Sequence, residues 1–209
     1  MKKGFYLVTL SLLLISLTAC SNKNKEATSP SSDTELLTSS SKTEHEDVRL
    51  NFNKIVLAQA ANEFKGGTTL EELKAIYGEP TSQSQTPAGD VTLDSYTWNF
   101  DSVVVTVQLF ENSSIARSIS NFVFSRKATI DQKMYDKLEN GMTFKQAIEI
   151  LGEPDDFSQA VSSDKVELQA MWVSGFKSES NSDQSRSASI TLSFENDALT
   201  QKSQTGLNK

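Results

Sequence analysis

Two stretches of the sequence decide the fold: GTTLEELKAIYGEP at residues 67–80 and GMTFKQAIEILGEP at residues 141–154. They align without a gap at an offset of 74 residues, and six of the fourteen positions are identical. Roughly one identity would be expected by chance, so the two stretches indicate an internal repeat. The same offset places Trp98 on Trp172, the two tryptophans of the chain.

Each stretch contains the start and the end of a short helix. Thr69 and Thr143 precede a Glu or a Gln by three residues, which is the pattern of a capping box. Apolar residues then follow at spacings of three and four, as in an amphipathic helix. Gly78 and Gly152 favour a left-handed helix end, and the proline two residues later prevents the helix from resuming. The Gly-Thr and Gly-Glu-Pro pattern is therefore explained by folding and does not require a catalytic role for its glutamates.

The flanking sequence predicts the other elements of each copy. A preceding helix is expected over residues 52–64 in the first copy and 131–139 in the second. Alternating and β-branched segments predict strands at 94–100, 103–110 and 114–124, and then at 166–173, 188–194 and 198–204.

A second local match sets the register of the two copies. Phe110-Glu-Asn112 aligns with Phe194-Glu-Asn196 at an offset of 84, which gives the second copy ten additional residues. We place these residues in a loop at 174–187. Under this alignment the apolar alternation that ends at Leu109 is out of phase with the alternation that ends at Phe194. A β-bulge, or a sheet that is covered on both faces, would reconcile the two patterns.

These elements predict an α+β fold with two tandem units. Each unit has two helices followed by an antiparallel sheet of three or four strands. The first unit occupies residues 48–127 and the second occupies residues 128–209. An alternative arrangement remains open, in which the segment 110–124 joins the two sheets across the boundary.

The N-terminal residues resemble a secretion signal. Residues 1–19 contain two lysines, an apolar run from Phe5 to Leu17 and a small-residue exit that leads to Cys20. The sequence Leu-Thr-Ala-Cys resembles the lipobox of bacterial lipoproteins, in which the cysteine carries diacylglyceryl. This resemblance implies lipidation of Cys20, attachment to the outer face of the cytoplasmic membrane and, with the long tether, a Gram-positive envelope more than a Gram-negative one. A secreted protein without a lipid and an uncleaved anchor are the alternatives.

The segment 20–47 is rich in Ser and Thr and nearly free of large apolar residues, so we expect a flexible tether. His45, the single histidine, lies at its end and is expected to be solvated. The formal net charge of the chain is −7, which disfavours nucleic acid as a partner.

The sequence offers little for catalysis. A nucleophile and base pair needs histidine or an equivalent base, and the single His and the single Cys lie outside the repeats. The metalloprotease, EF-hand, P-loop and dinucleotide-binding motifs do not occur in the sequence. We therefore expect no enzymatic activity, no metal and no cofactor.

The tandem units resemble a known family. Gly-x-Thr, Gly-Glu-Pro and a later tryptophan in each unit are similar to the beta-lactamase inhibitory protein fold and to related lipoprotein domains of unknown function in Gram-positive bacteria. A single unit is also similar to the small lipoprotein of the outer-membrane barrel-assembly machinery. The resemblance implies that two sheets form a concave surface that grips a protein.

The expected function is therefore non-catalytic protein binding through that concave surface. Aromatic residues dominate binding hot spots, which makes the following residues candidates: Tyr96, Trp98, Phe100, Trp172 and Phe176. Equivalent positions of a repeat usually serve packing, so both tryptophans are alternatively core residues. A structural accessory of an envelope assembly machine, and a binder of cell-wall fragments or small ligands, remain alternative functions.

Overall fold

The computed structural model describes residues 44–122, 130–176 and 186–207. Its helices are α1 (Glu46–Phe52), a 3-10 turn (Ala60–Asn62), α2 (Leu70–Tyr77), α3 (Gln132–Asp136) and α4 (Phe144–Leu151). Its strands are β1 (Ser82–Ala88), β2 (Val91–Phe100), β3 (Val103–Phe110), β4 (Ser113–Ser120), β5 (Asp156–Val161), β6 (Val166–Phe176), β7 (Arg186–Glu195) and β8 (Ala198–Thr205).

The two helices of the repeated stretches form as predicted. α2 and α4 each begin with a complete capping box, in which the Thr69 or Thr143 hydroxyl accepts from the third helical N–H and that residue's side chain accepts from the threonine N–H. Both helices end at a glycine with positive φ, 79° at Gly78 and 78° at Gly152. The ψ values of −164° and −172° place both glycines in a region that is almost restricted to glycine.

The prediction of two units with separate sheets is wrong. All eight strands belong to one antiparallel sheet in the order β1 to β8. β4 pairs with β5 over four positions, from Ala116 opposite Ala160 to Ile119 opposite Phe157. An isolated three- or four-stranded sheet would expose the polar backbone of β4 and β5 at its edges, and their pairing satisfies those groups.

Two strands of the sheet, β1 and β5, were not predicted from the sequence. β1, SQSQTPA, and β5, DFSQAV, contain mostly small and polar residues and lack a clear apolar alternation. The helix predicted over 52–64 is also misplaced, because α1 ends at Phe52. The chain after it runs along β4, where the Ala58 N–H donates to the Ser114 carbonyl at 2.8 Å. Tertiary hydrogen bonds replace helical ones in this segment.

The two halves make corresponding contacts. These contacts show that the alignment of Phe110-Glu-Asn112 with Phe194-Glu-Asn196 is shifted by one residue. A register shift occurs at Gln108/Leu109 between β3 and β4 and at Ser193/Phe194 between β7 and β8. Both hairpins then turn through two residues with positive φ, Glu111-Asn112 and Asn196-Asp197. The offset in the fold is therefore 85 and not 84.

The correction resolves the phase conflict of the apolar patterns. Leu109 corresponds to Phe194, and both are buried, at 2 % exposure each. The turn side chains correspond as well. The α2 N-terminus donates from Leu70 N to Asn112 Oδ1 at 3.1 Å, and the α4 N-terminus donates from Phe144 N to Asp197 Oδ1 at 3.0 Å. Each helix is thus attached to the hairpin that follows it in its half.

Candidate functional site

The two faces of the sheet differ sharply. In β3, Val103, Val105, Val107 and Leu109 are buried, while the residues between them are partly exposed. The buried side faces the helices, because Tyr77 of α2 contacts the Trp98 ring at 5.7 Å. In the second half, Phe144 of α4 contacts Phe157 and Phe194 on the same side of the sheet. We call the opposite side, formed by the alternate residues of each strand, the open face.

The open face carries a groove of about 690 Å³. Strand pairing places Thr106 opposite Ser118, Ser118 opposite Ser158 and Ser158 opposite Gln169, so these four side chains follow one line across the groove. The open-face residues that line the groove are Thr86, Thr106, Gln108, Ala116, Ser118, Ser158, Ala160, Glu167, Gln169, Ser193 and Glu195.

The shape of the groove follows from side-chain size. Its centre lies over the β4–β5 pair, where Ala116, Ser118, Ser158 and Ala160 are small. The longer side chains of β3 and β6 stand on either side. Three strand spacings separate β3 from β6, so the groove is about 14 Å wide. A depression of this width across polar strands can receive a loop or a hairpin of another protein.

The charged open-face residues that line the groove, Glu167 and Glu195, lie at one end of it. Glu167 of β6 lies directly opposite Glu195 of β7, and like charges in this arrangement repel. The Lys165 Nζ lies 2.7 Å from Glu167 Oε1 and 3.6 Å from Glu195 Oε2. The hydrogen bond to Glu167 is the main reason that the pKa of Lys165 is raised. One lysine serves two carboxylates, so this end of the groove keeps net negative charge.

The sequence-predicted aromatic residues lie on the other face. Trp98 and Trp172 are 1 % and 0 % exposed, and each indole N–H donates to the glycine carbonyl at a helix end, Gly78 at 2.9 Å and Gly152 at 2.8 Å. Tyr96 is buried and lies opposite Val107 of the core. These side chains hold helices on the sheet.

The other two predicted aromatic residues, Phe100 and Phe176, each lie at the end of a strand. Phe100 is partly buried and its ring contacts Tyr77 at 5.7 Å, again on the helix side. Phe176 ends β6, so the strand extends into the segment predicted to be a loop, and its side chain lies outside the described residues. Cys20 and most of the proposed tether also lie outside the described residues.

A set of hydrogen bonds from one arginine lies beneath the groove, at the junction of the two halves. Arg117 of β4 donates to the Phe52 and Ile55 carbonyls at 2.9 and 2.7 Å and to Gln159 of β5 at 3.0 Å. Its guanidinium lies over the Phe52 ring at 5.1 Å. Burial, together with a smaller contribution from the nearby positive charge of Arg49, lowers the pKa of Arg117 to about 10. Arg117 thus links α1 and its following loop to both central strands.

A second arginine fixes α1 to the second half. Arg49 is 1 % exposed and donates to the Pro154 carbonyl at 3.2 Å and to Glu153 at 3.3 Å. Burial is the main cause that lowers the pKa of Arg49, and Glu153 and Asp155 oppose this effect. The glutamate of the second Gly-Glu-Pro end therefore has a structural role.

Two adjacent carboxyl groups, Asp155 and Asp156, follow this corner. Asp155 is fully buried and accepts from Val173 N at 2.6 Å. Asp156 begins β5 and accepts from Phe122 N at 3.3 Å. Burial is the main cause that raises the pKa of Asp156 to about 6, and the charge of Asp155 contributes to this rise. Local sequence gave no signal for this site, because burial arises from the β4–β5 junction.

His45 differs from its expected solvated state. Its Nε2 lies 2.8 Å from Asp101 Oδ2, its ring contacts Phe100, and its side chain is 23 % exposed. Glu44, His45 and Asp101 are the one group of three potential metal ligands within the described residues. Glu44 and Asp101 are exposed. Exposed carboxylates commonly occur without a metal, so we assign none here.

The family of the chain is indicated by its sequence over the folded region. The model of the family described as "Domain of Unknown Function with solved-structure structure (DUF3862)" matches residues 44–207. No protein with a curated description matches the chain. Within the part of the chain that the structure describes, no helix is both long and apolar enough to cross a membrane.

A solved structure is similar over most of the chain. It is the crystal structure of a Streptococcus mutans protein described as a "putative beta-lactamase inhibitor protein". The two sequences are 50% identical, the match covers 80% of this chain and 100% of that chain, and the TM-score is 0.71.

Proposed function

We propose that this chain, which belongs to the DUF3862 family, is a non-catalytic binding module that recognises another protein through the open face of its sheet. The groove is the observation that carries this proposal, because its lining comes from strands of both halves. The fusion of two half-sheets through β4 and β5 creates its floor. The similarity to a protein described as a putative beta-lactamase inhibitor supports protein binding as the class of function.

The open face is suited to a partner that is polar at the contact. Its groove-lining side chains are hydroxyl, amide, small apolar and carboxylate groups, and none of those on the described open face is aromatic. Binding of this kind relies on shape, hydrogen bonds and water more than on aromatic anchors. We propose packing roles for Trp98 and Trp172, since buried side chains do not reach a docked partner.

The remaining parts of the proposal concern the residues outside the description. We propose that residues 1–19 are a signal peptide, that Cys20 carries diacylglyceryl, and that residues 20–47 tether the fold at the outer face of the cytoplasmic membrane. The corresponding contacts of the two halves support an internal duplication. Replacement of Cys20 by serine should release the protein into the medium, whereas retention at the membrane would contradict the lipid anchor.

A groove-blocking variant tests the binding proposal. Beta-lactamases are the first partner class to assay, because of the description of the similar Streptococcus mutans protein. Full-length protein would be compared with Ser118→Trp, which fills the groove floor, and with Lys65→Trp, which alters an exposed site near the 3-10 turn. Partner binding or enzyme inhibition should be lost with Ser118→Trp and kept with Lys65→Trp. Loss with Lys65→Trp alone would place the contact surface elsewhere and refute the proposal.

A further inference from the structure

We infer that the groove receives a protruding basic loop of the partner protein, with a lysine or arginine side chain bound between Glu167 and Glu195. This inference rests on the proposed function and adds the chemistry of the partner. Of the described open-face residues that line the groove, only Glu167 and Glu195 have ionisable side chains, and both are acidic.

The geometry of these two glutamates leaves one cation position incompletely filled. They are directly opposite on adjacent strands, so their like charges repel each other. Lys165 contacts Glu167 closely but is 0.9 Å farther from Glu195, at 3.6 Å against 2.7 Å. The Glu195 side chain is 50% exposed and the Glu167 side chain is 36% exposed. A second cation that arrives from the open side can therefore reach Glu195 without displacing Lys165.

Arg117, the other charged residue that lines the groove, does not satisfy this position. The Arg117 guanidinium is bonded on the helix side, to the Phe52 and Ile55 carbonyls and to Gln159. The net charge of the whole chain is −7, which favours the approach of a basic segment over an acidic one. Charge complementarity thus selects a basic occupant, and the width of about 14 Å between β3 and β6 suits a loop or hairpin.

Photocrosslinking tests the occupant directly. A photoreactive amino acid would replace Ser118 on the groove floor or, in a separate variant, Gln169 on the β6 side, in the full-length protein in living cells. The same amino acid at Lys65, which is exposed and lies outside the groove, provides the control. The crosslinked partner peptide from either groove position should contain a lysine or arginine, and the Lys65 position should not capture that peptide.

The charge dependence is then measured on the same crosslink. Glu195→Gln and Glu167→Gln should each lower its yield about two- to fivefold, which is the range for a partly exposed ion pair, and added salt should reduce the difference. Glu63→Gln provides a matched control, because Glu63 forms an exposed ion pair with Lys65 away from the groove. Its yield should equal that of the wild type.

The outcomes separate the two proposals. A groove crosslink to a peptide without a basic residue, or one that is insensitive to both glutamine variants, would overturn the basic loop and leave the open face as the binding surface. A crosslink from Lys65 and none from either groove position, or no crosslink from any position, would overturn both.

Discussion

Asp156 should make the stability of the protein depend on pH in a defined direction. Its pKa rises from 3.8 to about 6 in the folded protein, chiefly because of burial. A carboxyl group whose pKa is raised by folding contributes stability that is fully present below about pH 4. This contribution is lost as pH rises through about 6, because the folded state must then ionise a buried group.

The magnitude follows from the shift. A difference of about two pKa units corresponds to about 3 kcal/mol between the two protonation states. Asp156 is only partly buried in the folded protein, so solvent screening reduces the expected effect to about 1–2 kcal/mol. Asp156→Asn removes the ionisation but keeps an oxygen that can accept from Phe122 N, the contact that the aspartate makes at 3.3 Å.

Urea unfolding at several pH values provides the assay, and the buried tryptophans serve as fluorescent reporters. The free energy of unfolding of Asp156→Asn should equal that of the wild type near pH 3.5 and exceed it by about 1–2 kcal/mol at pH 7.5. Comparing variants at each pH cancels the titration of distant groups. A difference that does not change with pH, or a variant less stable than the wild type at pH 7.5, would refute the reasoning.

The neighbouring carboxyl group provides a contrast of opposite sign. Asp155 accepts from Val173 N at 2.6 Å and is a source of negative charge for the buried Arg49. Asp155→Asn should therefore destabilise the protein at neutral pH, by about 1–3 kcal/mol, because Arg49 loses one of its two nearby negative charges and keeps Glu153. If Asp155→Asn and Asp156→Asn both stabilised the protein, the different roles that the structure gives these two carboxyl groups would be contradicted.

Three further predictions concern the elements that define each half. Gly67→Ala should destabilise the protein by about 1–3 kcal/mol or more, because a Cβ there would lie 2.4 Å from the Ser114 carbonyl oxygen. Thr143→Ala should lower the free energy of unfolding by about 1 kcal/mol through loss of the α4 capping box. Trp172→Phe should cost about 1–3 kcal/mol, since the Gly152 carbonyl loses its indole donor and a space remains, yet partner binding by the folded variant should be unchanged.

Matched positions control these three measurements. Gly141 has a positive φ, but a Cβ added there would have no atom within 4 Å. Gly141→Ala should therefore cost only backbone strain, about 1 kcal/mol. Thr69→Ala should match Thr143→Ala, and the double variant should be additive. Equal stability of the Gly67→Ala and wild-type proteins would contradict the close approach. Loss of binding by a fully folded Trp172→Phe variant would show that Trp172 contributes to the contact surface.

The helices of the repeated stretches could be predicted because their signals are local. A threonine cap, a glutamate or glutamine three residues later and a terminal glycine act on the backbone within a few residues. α2 and α4 accordingly begin and end where the sequence places them. The strands with β-branched or apolar alternation, such as β3 and β7, were also located within a few residues.

The groove could not be predicted, because its floor depends on a strand without a local signal. β5 pairs through Ser158 and Ala160 with β4, and both of its neighbours are needed before its polar backbone is satisfied. The alignment of Phe110 with Phe194 was also wrong by one residue, because Leu109 is the true counterpart of Phe194. Hydrogen bonds from the helix N-termini to Asn112 and Asp197, which are distant in sequence, reveal the true correspondence.

By itself, the sequence determined the two capped helices, the main apolar strands, the acidic character of the chain and the absence of common catalytic motifs. The tertiary structure decided that the two halves share one sheet, that the tryptophans are buried beneath helices and that a polar groove lies on the opposite face of the described sheet. The physical reason is the distance along the sequence over which each interaction acts. Capping and alternation depend on neighbouring residues, whereas strand pairing at β4 and β5 and the burial of Asp155 depend on backbone groups and charges that meet only after folding.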